Sequence, residues 1–462
     1  MENEIIQGSR LKDMRRFFDS GATRSYEFRK EQLRILKAVI QKYEQEVIEA
    51  LTADFRKPPF ESFATEIGFV YEEINVALRN LKGWMRHKKV GSPLPLFPSS
   101  SRIYYEPFGV SLIIAPWNYP FQLAISPLVA SIAAGNVSLV KPSELTPSTA
   151  AVIEKIMNEA FAPEFISVLQ GDGAVVIPAA MEGFRFDHIF FTGSTEVGKK
   201  IAKAAAEKLI PNVLELGGKS PAIVDSTADL KVTARRIAWG KWVNAGQTCV
   251  APDYLLVDRQ IKDRFQRELV LAIREFYGED PQKSPHFARI IHKKHLGRLR
   301  DLLKGATLIS GGQIHEEDLY LAPTLVEVPD MDHPLMKEEI FGPILPIIPF
   351  EDFDDLKAVI RKNPNPLSLY LFSRRKSFQA KITEEIGFGG GAINNTLVHL
   401  ANPELPFGGV GPSGMGRYHG EFGFHAFSHI KAMVKTGIWF DLKLKYPPYG
   451  DRALKLMRLL FR

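Results

Sequence analysis

The chain has 462 residues, 45% of them apolar, 24% charged and 11% aromatic. That length exceeds a single hydrophobic core, so two or three domains are expected, and the composition excludes a disordered or fibrous chain. The net charge of +6 suits anionic ligands, but Lys and Arg are scattered without a basic block interleaved with aromatics, so no nucleic-acid partner is expected.

In chain order, the N-terminus has early acidic residues and no apolar run, which argues against a signal peptide. Residues 28–51 then place Leu33, Leu36, Val39, Ile40, Tyr43, Val47 and Leu51 near helical spacing, and residues 63–84 repeat the pattern. A cluster of Gly, Ser and Pro over 91–101 closes this helical layer. From 107 to 140 no residue is charged. A membrane hairpin has the length, but Pro107, Pro116, Pro120, Pro127, Gly135 and Asn136 interrupt it, and irregular backbone is costly in lipid. Two buried strands flanking a core helix explain the run better.

Beyond residue 108 the rhythm is βα. Strands are predicted at 109–115, 136–140, 165–169, 186–192 and 212–216, and helices at 121–134, 147–160, 174–182 and 195–209. Nearly continuous apolar strands such as Val110-Ser111-Leu112-Ile113-Ile114 are expected where helices cover both faces of a parallel sheet. The fold class is therefore α/β, with a doubly wound, Rossmann-like nucleotide-binding domain. A second α/β region follows over 215–420, with strands predicted at 221–225, 253–257, 320–326 and 367–372 and a glycine-rich end from Phe407 to Gly416. Two alternating stretches, 101–106 and 429–435, suit a small oligomerising sheet or an internal edge pair. The tail from 451 to 462 is a basic amphipathic helix, with Arg452, Lys455, Arg458 and Arg462 on one stripe and Leu454, Met457, Leu460 and Phe461 near another. Such a helix either lies on anionic lipid or docks on its own chain or a partner.

Four strings carry chemistry. Gly193-Ser194-Thr195-Glu196-Val197-Gly198 follows a strand and opens a helix, so its backbone N–H groups suit a diphosphate. Read as a P-loop it fails, because Lys200 stands where Ser or Thr should hold magnesium. Cys249 is the single cysteine. It excludes an intrachain disulfide and points to a reducing, cytoplasmic setting. Its polar, small-residue flank, Asn244-Ala245-Gly246-Gln247-Thr248, presents it on a loop, as a nucleophile requires. A buried structural cysteine is the alternative. Glu215 sits inside an apolar strand, where a carboxyl is costly unless paired or neutral, and a raised pKa would suit a general base. Asn118, in Pro116-Trp117-Asn118-Tyr119-Pro120 at a strand end, has an amide that could hold an oxyanion. No clustering of the 11 histidines suggests a metal site, and none is expected.

Together these strings, with Lys141-Pro142-Ser143-Glu144, Phe191-Thr192-Gly193-Ser194-Thr195, Leu214 to Lys219 and Glu339-Ile340-Phe341-Gly342-Pro343, resemble the aldehyde dehydrogenase superfamily in order and spacing over nearly the whole chain. The compact N-terminus, Leu405 to Gly409 and Tyr418-His419-Gly420 look like its class 3 or fatty aldehyde dehydrogenase branch. The resemblance implies NAD or NADP as cofactor and an aldehyde as substrate. It implies Cys249 as nucleophile through a thiohemiacetal and thioester, Asn118 at the oxyanion and Glu215 as base for the hydrolytic water. It assigns Lys141 and Glu144 to the adenine-side ribose, residues 193–198 to the cofactor turn, and Trp117, Glu339 and Phe341 to the cofactor site.

The expected partition is a NAD(P)-binding domain from 1–84 and 107–214, and a catalytic domain from 215–420. A bridging or oligomerising element from 85–106 and 421–448 and a basic tail from 449–462 complete it. A homodimer is expected, with peripheral membrane contact through the tail left open. Rival readings are a P-loop hydrolase, a silent scaffold on this fold and a CoA-acylating relative; Glu215 as base favours hydrolysis over the last.

Overall fold

A computed structural model describes residues 8–441 and 443–460; Phe461 and Arg462 of the predicted tail lie outside the described residues, as do residues 1–7. The first predicted helical stretch is divided. Tyr26–Lys42 and Glu44–Phe55 are separate helices, because Tyr43 leaves helical geometry at φ −103° and ψ 12°. The apolar stripe is buried on both sides of that break, through Leu33, Leu36 and Ile40 and then Val47 and Leu51. Helix Gly68–Trp84 fills most of the second stretch, preceded by a wide π-type turn at Phe63–Ile67.

The uncharged run folds as strand Val110–Ile114, the wholly buried helix Gln122–Ala134 and strand Val137–Lys141. Among the described residues no helix is long and apolar enough to cross a membrane. These strands belong to a six-stranded sheet, in the order Gly414–Met415, Asn212–Glu215, His188–Thr192, Val110–Ile114, Val137–Lys141, Ile166–Val168. All pairs are parallel except the one made by Gly414–Met415. The first strand in sequence lies at the centre and the chain winds outward both ways, so the order reverses between Val110–Ile114 and His188–Thr192. Ligands of doubly wound sheets bind outside the carboxyl ends of strands at that reversal.

A seven-stranded sheet runs Thr307–Ser310, Thr324–Glu327, Ile344–Phe350, Tyr254–Asp258, Pro221–Val224, Ser368–Phe372, Gly390–Ile393. The strand predicted over 320–326 is split. Tyr320–Leu321 pairs with Ile314–His315 in a side hairpin, and Thr324–Glu327 enters the main sheet; Pro323 between them has no N–H to continue a ladder. Strands Ile344–Phe350 and Gly390–Ile393 escape the sequence reading because Pro346, Pro349 and paired glycines read as turns. The two alternating stretches do pair internally: Ser99–Pro107 lies antiparallel to Ser428–Thr436, from Ser99 opposite Thr436 to Pro107 opposite Ser428. Lys88–Val90 covers the other edge of Ser99–Pro107.

Candidate active site

A cavity of about 870 Å³ opens at the strand-order reversal, lined by Trp117, Lys141, Glu144, Gly193, Ser194, Val197 and Lys200 among others. Ser194 caps helix Thr195–Glu207 by accepting the Val197 N–H at 3.4 Å, and a helix start of this kind favours anions. Helical spacing puts Val197, Lys200, Ile201 and Ala204 along the cavity wall. The other residues of the turn do different work. Thr195 Oγ1 donates to the Pro412 carbonyl at 3.3 Å, and Glu196 turns to solvent against Lys199. A Cβ at Gly198 would come within 2.5 Å of Leu216, so glycine lets the helix press onto the sheet. Lys141, its side chain almost fully buried, pairs with the Glu144 carboxylate.

The Cys249 loop follows helix Leu230–Trp242. Asn244, Ala245 and Gly246 are all left-handed, with φ of 53°, 52° and 74°. Asn and Gly accept this conformation readily, whereas alanine pays about 1 kcal/mol or more. Surrounding bonds hold the turn. Gln247 Nε2 donates to the carbonyls of Asn244 (3.1 Å) and Arg289 (2.9 Å), and its Oε1 accepts from Ile291 N–H at 3.0 Å. Asn118 is buried against the same turn: its Nδ2 donates to the Gln247 carbonyl at 3.1 Å, and its carbonyl accepts from Asn244 Nδ2 at 2.8 Å. Tyr119 and Thr248 hydroxyls meet at 2.7 Å, and Tyr370 donates to the Val250 carbonyl at 2.7 Å. The loop is thus pinned on both sides of the sulfur.

Cys249 and Glu215 line a second, mainly apolar cavity of about 230 Å³, with Phe69, Leu123, Trp239, Leu397, Leu400 and Phe407. Thr192 lines both cavities. Glu215 ends strand Asn212–Glu215, and both its carboxylate oxygens are buried without a hydrogen-bond partner among the described residues. Burial therefore holds its pKa well above the carboxylate range. The Cys249 thiol is pushed up to about 12, by burial first and then by the Glu339 and Glu215 carboxyls.

Glu339 is pushed up to about 8, chiefly by burial and then by Asp253. Its segment is fixed by the buried Lys219–Asp253 pair. Lys219 Nζ also donates to the carbonyls of Leu335 (2.8 Å) and Glu338 (2.9 Å), and Asp253 Oδ1 accepts from Ile340 N–H at 3.0 Å. A Cβ at Gly217 would overlap the Glu339 carboxylate at 2.0 Å, which explains the glycine there. Phe341, left-handed at φ 53°, packs edge-on to Trp117 at 5.2 Å, and His295 Nε2 lies 2.8 Å from its carbonyl oxygen. The fold therefore brings Cys249 and Glu215 to one chamber, ties Asn118 to the turn before the cysteine, and places Trp117, Lys141, Glu144 and Gly193 in the adjoining cleft. Sequence reasoning gave no role to Tyr119, Asp253 and the buried Lys241, whose Nζ has no hydrogen-bond partner among the described residues. None of these lies in a periodic pattern; only the cross-chain contacts single them out. Among the described residues no group of three or more His, Cys, Asp or Glu is arranged to hold a metal ion.

A doubly wound sheet with a loop-borne thiol beside a buried carboxyl suits several kinds of enzyme, and the family match decides among them: the chain belongs to the aldehyde dehydrogenase family, whose profile (Aldehyde dehydrogenase family) matches residues 10–433. Within it the similarity is to class 3 members. The chain is 47% identical over 452 residues to the 4,4'-diaponeurosporen-aldehyde dehydrogenase of Staphylococcus aureus (strain NCTC 8325 / PS 47), covering 97% of this chain and 98% of that one. It is 43% identical over 458 residues to aldehyde dehydrogenase family 3 member B1 of Homo sapiens, covering 97% and 96%. A solved structure of the substrate-bound state of Staphylococcus aureus AldH matches with a TM-score of 0.94 at 46% identity, covering 98% of this chain and 99% of that one. More distant solved relatives, at 27% and 25% identity, are complexes with NAD+ and with NADP. The chain is an NAD(P)-dependent aldehyde dehydrogenase.

Proposed function

We propose that Cys249 attacks the aldehyde carbon and that Glu215 takes the proton of the water that later releases the carboxylic acid. The observation that carries this reading is the shared cavity: thiol and unpartnered carboxyl line one apolar chamber, and Thr192 joins it to the cleft. The thiol proton passes to solvent as Sγ bonds to the carbonyl carbon, and the carbonyl oxygen becomes an oxyanion. Asn118 Nδ2, which spends one hydrogen on Gln247, has a second for that oxyanion, and the Cys249 N–H is the other donor. The dinucleotide, when bound, supplies the acceptor for the hydride leaving this carbon. Glu215 then deprotonates water, which attacks the thioester; the C–S bond breaks and the thiol regains a proton.

The cleft fits a dinucleotide: it joins a capped helix start, glycines with no room for a side chain, and the buried Lys141 cation. Lys141 and Glu144 would hold the adenine-side ribose, residues 193–198 the diphosphate turn, and Trp117, Glu339 and Phe341 the nicotinamide end. The dinucleotide is NAD or NADP. On this reading residues 1–84 and 107–214 bind the cofactor and 215–420 carry the chemistry.

The apolar chamber suits medium- or long-chain aliphatic, aromatic or polyene aldehydes, and the name of the staphylococcal relative supports a polyene. We assign the element formed by 85–106 and 421–448 to homodimer formation, because Ser428–Thr436 lies at the edge of its sheet. We assign the tail to peripheral contact with a membrane from a cytoplasmic location, since Leu454, Met457 and Leu459 are exposed on helix Asp451–Leu460.

The test is a panel of aldehydes assayed for reduced-cofactor absorbance with NAD and with NADP. Turnover that disappears in Cys249→Ser is expected. Turnover that survives the substitution would refute the assignment.

A further inference from the structure

Besides the exposed Arg56, the stretch between helices Glu44–Phe55 and Gly68–Trp84 carries three ionisable groups that the chemistry above does not use: Lys57, Glu61 and Glu66. Lys57 Nζ donates to Glu66 Oε1 at 2.6 Å, and both side chains are 0% exposed. A buried ion pair is costly unless its remaining lone pairs and protons are satisfied. Here they are spent on the site. Glu66 Oε2 accepts the backbone N–H groups of Phe121 (2.9 Å) and Gln122 (3.1 Å), just after the Asn118 turn. Lys57 Nζ lies 4.0 Å from the centre of the Tyr119 ring, whose hydroxyl meets Thr248, the neighbour of Cys249.

Glu61, on the short helix Pro59–Ser62, reaches the other turn. Its Oε2 accepts the N–H of Asn244 at 3.1 Å. Asn244 is the first of the three left-handed residues before the cysteine, and its side chain donates to the Asn118 carbonyl. Two carboxylates of one N-terminal segment thus grip the two turns that carry the thiol and the amide. Residues 118–122 and 244–249 have no covalent reason to keep a fixed separation; this segment bridges them from outside.

We propose that residues 57–66 form a positioning strap: Glu61 holds the Asn244 turn, and the Lys57–Glu66 pair holds the Asn118 turn, so that amide and thiol keep the spacing oxyanion stabilisation needs. The role rests on the reading of Cys249 and Asn118 given above. Misplacement by about an ångström costs roughly a hundredfold in rate, so Glu61→Ala is expected to lower kcat by about ten- to a hundredfold per alkylatable thiol. The KM for the dinucleotide stays unchanged, because Glu61 contacts the cysteine loop and not the cleft. Glu61→Gln, whose amide oxygen still accepts the Asn244 N–H, restores most of the rate. Glu61→Asp keeps the carboxyl but loses reach, and behaves like the alanine variant; it serves also if Glu61→Ala does not fold.

Wild-type kcat in both Glu61→Ala and Glu61→Asp, or a glutamine variant as impaired as alanine, would overturn the strap. Cys249→Ser and Asn118→Ala run beside them. If those two retain turnover, the underlying assignment falls; if they lose it while the Glu61 variants do not, only the strap falls.

Discussion

The two cavities that meet at Thr192 are built in opposite ways. The cleft beside the six-stranded sheet is wide, about 870 Å³, and offers Lys141, Glu144, Lys200 and a capped helix start. The chamber beside it is about 230 Å³ and largely apolar, and the Glu215 carboxyl within it has no partner. Charge is paired along the cleft, and in the chamber it is left to burial, which shifts its pKa. A site that binds by pairing and reacts by desolvation needs both kinds of wall, kept apart but adjoining.

The largest effect that could break this contrast is at the sulfur. Cys249→Ser should cost at least about a thousandfold in turnover, while dinucleotide binding followed by fluorescence stays as it was; a parallel loss of binding would mean the cavities are not separable. The effect of burial on the thiol can be read directly from pH. The thiol is pushed up to about 12, so its reactive thiolate grows about tenfold per pH unit below that value. Alkylation of the dinucleotide-free protein by iodoacetamide should climb roughly a thousandfold from pH 7 to pH 10, and a plateau near pH 8 would show a wetter, stabilised thiolate.

Smaller effects sharpen the picture. Glu215→Gln should lower steady-state turnover by about a hundredfold but leave a first-turnover burst of reduced cofactor, since the water step comes last; stopped-flow absorbance separates the two phases. Lys141→Ala, on the polar side, should raise the KM for the dinucleotide by about tenfold with kcat unchanged. A fall in kcat there would place the lysine in the chemistry rather than in binding.

Strands at 110–114, 137–141 and 188–192 were legible because a sheet buried on both faces demands continuous apolar runs, and the glycine turn at 193 was legible because a capped strand-to-helix turn is local. The helix break at Tyr43 and the proline-bearing strand Ile344–Phe350 were not, since packing there overrode the local signal. The site divides along the same line. Cys249 stood out by its loop setting and Glu215 by its apolar flanks, whereas nothing near Glu61 announces its bond to Asn244, 183 positions away.

The sequence by itself determined the α/β class and the βα rhythm and singled out Cys249 and Glu215 as candidates, because periodicity, turn chemistry and a lone thiol are properties of neighbours along the chain. Only the tertiary structure decided which carboxyls are left unpaired, which turns are held left-handed and which distant charges hold them. Desolvation and cross-chain hydrogen bonds arise only when separated segments pack together, and these are what set the pKa of Glu215 and the place of Cys249.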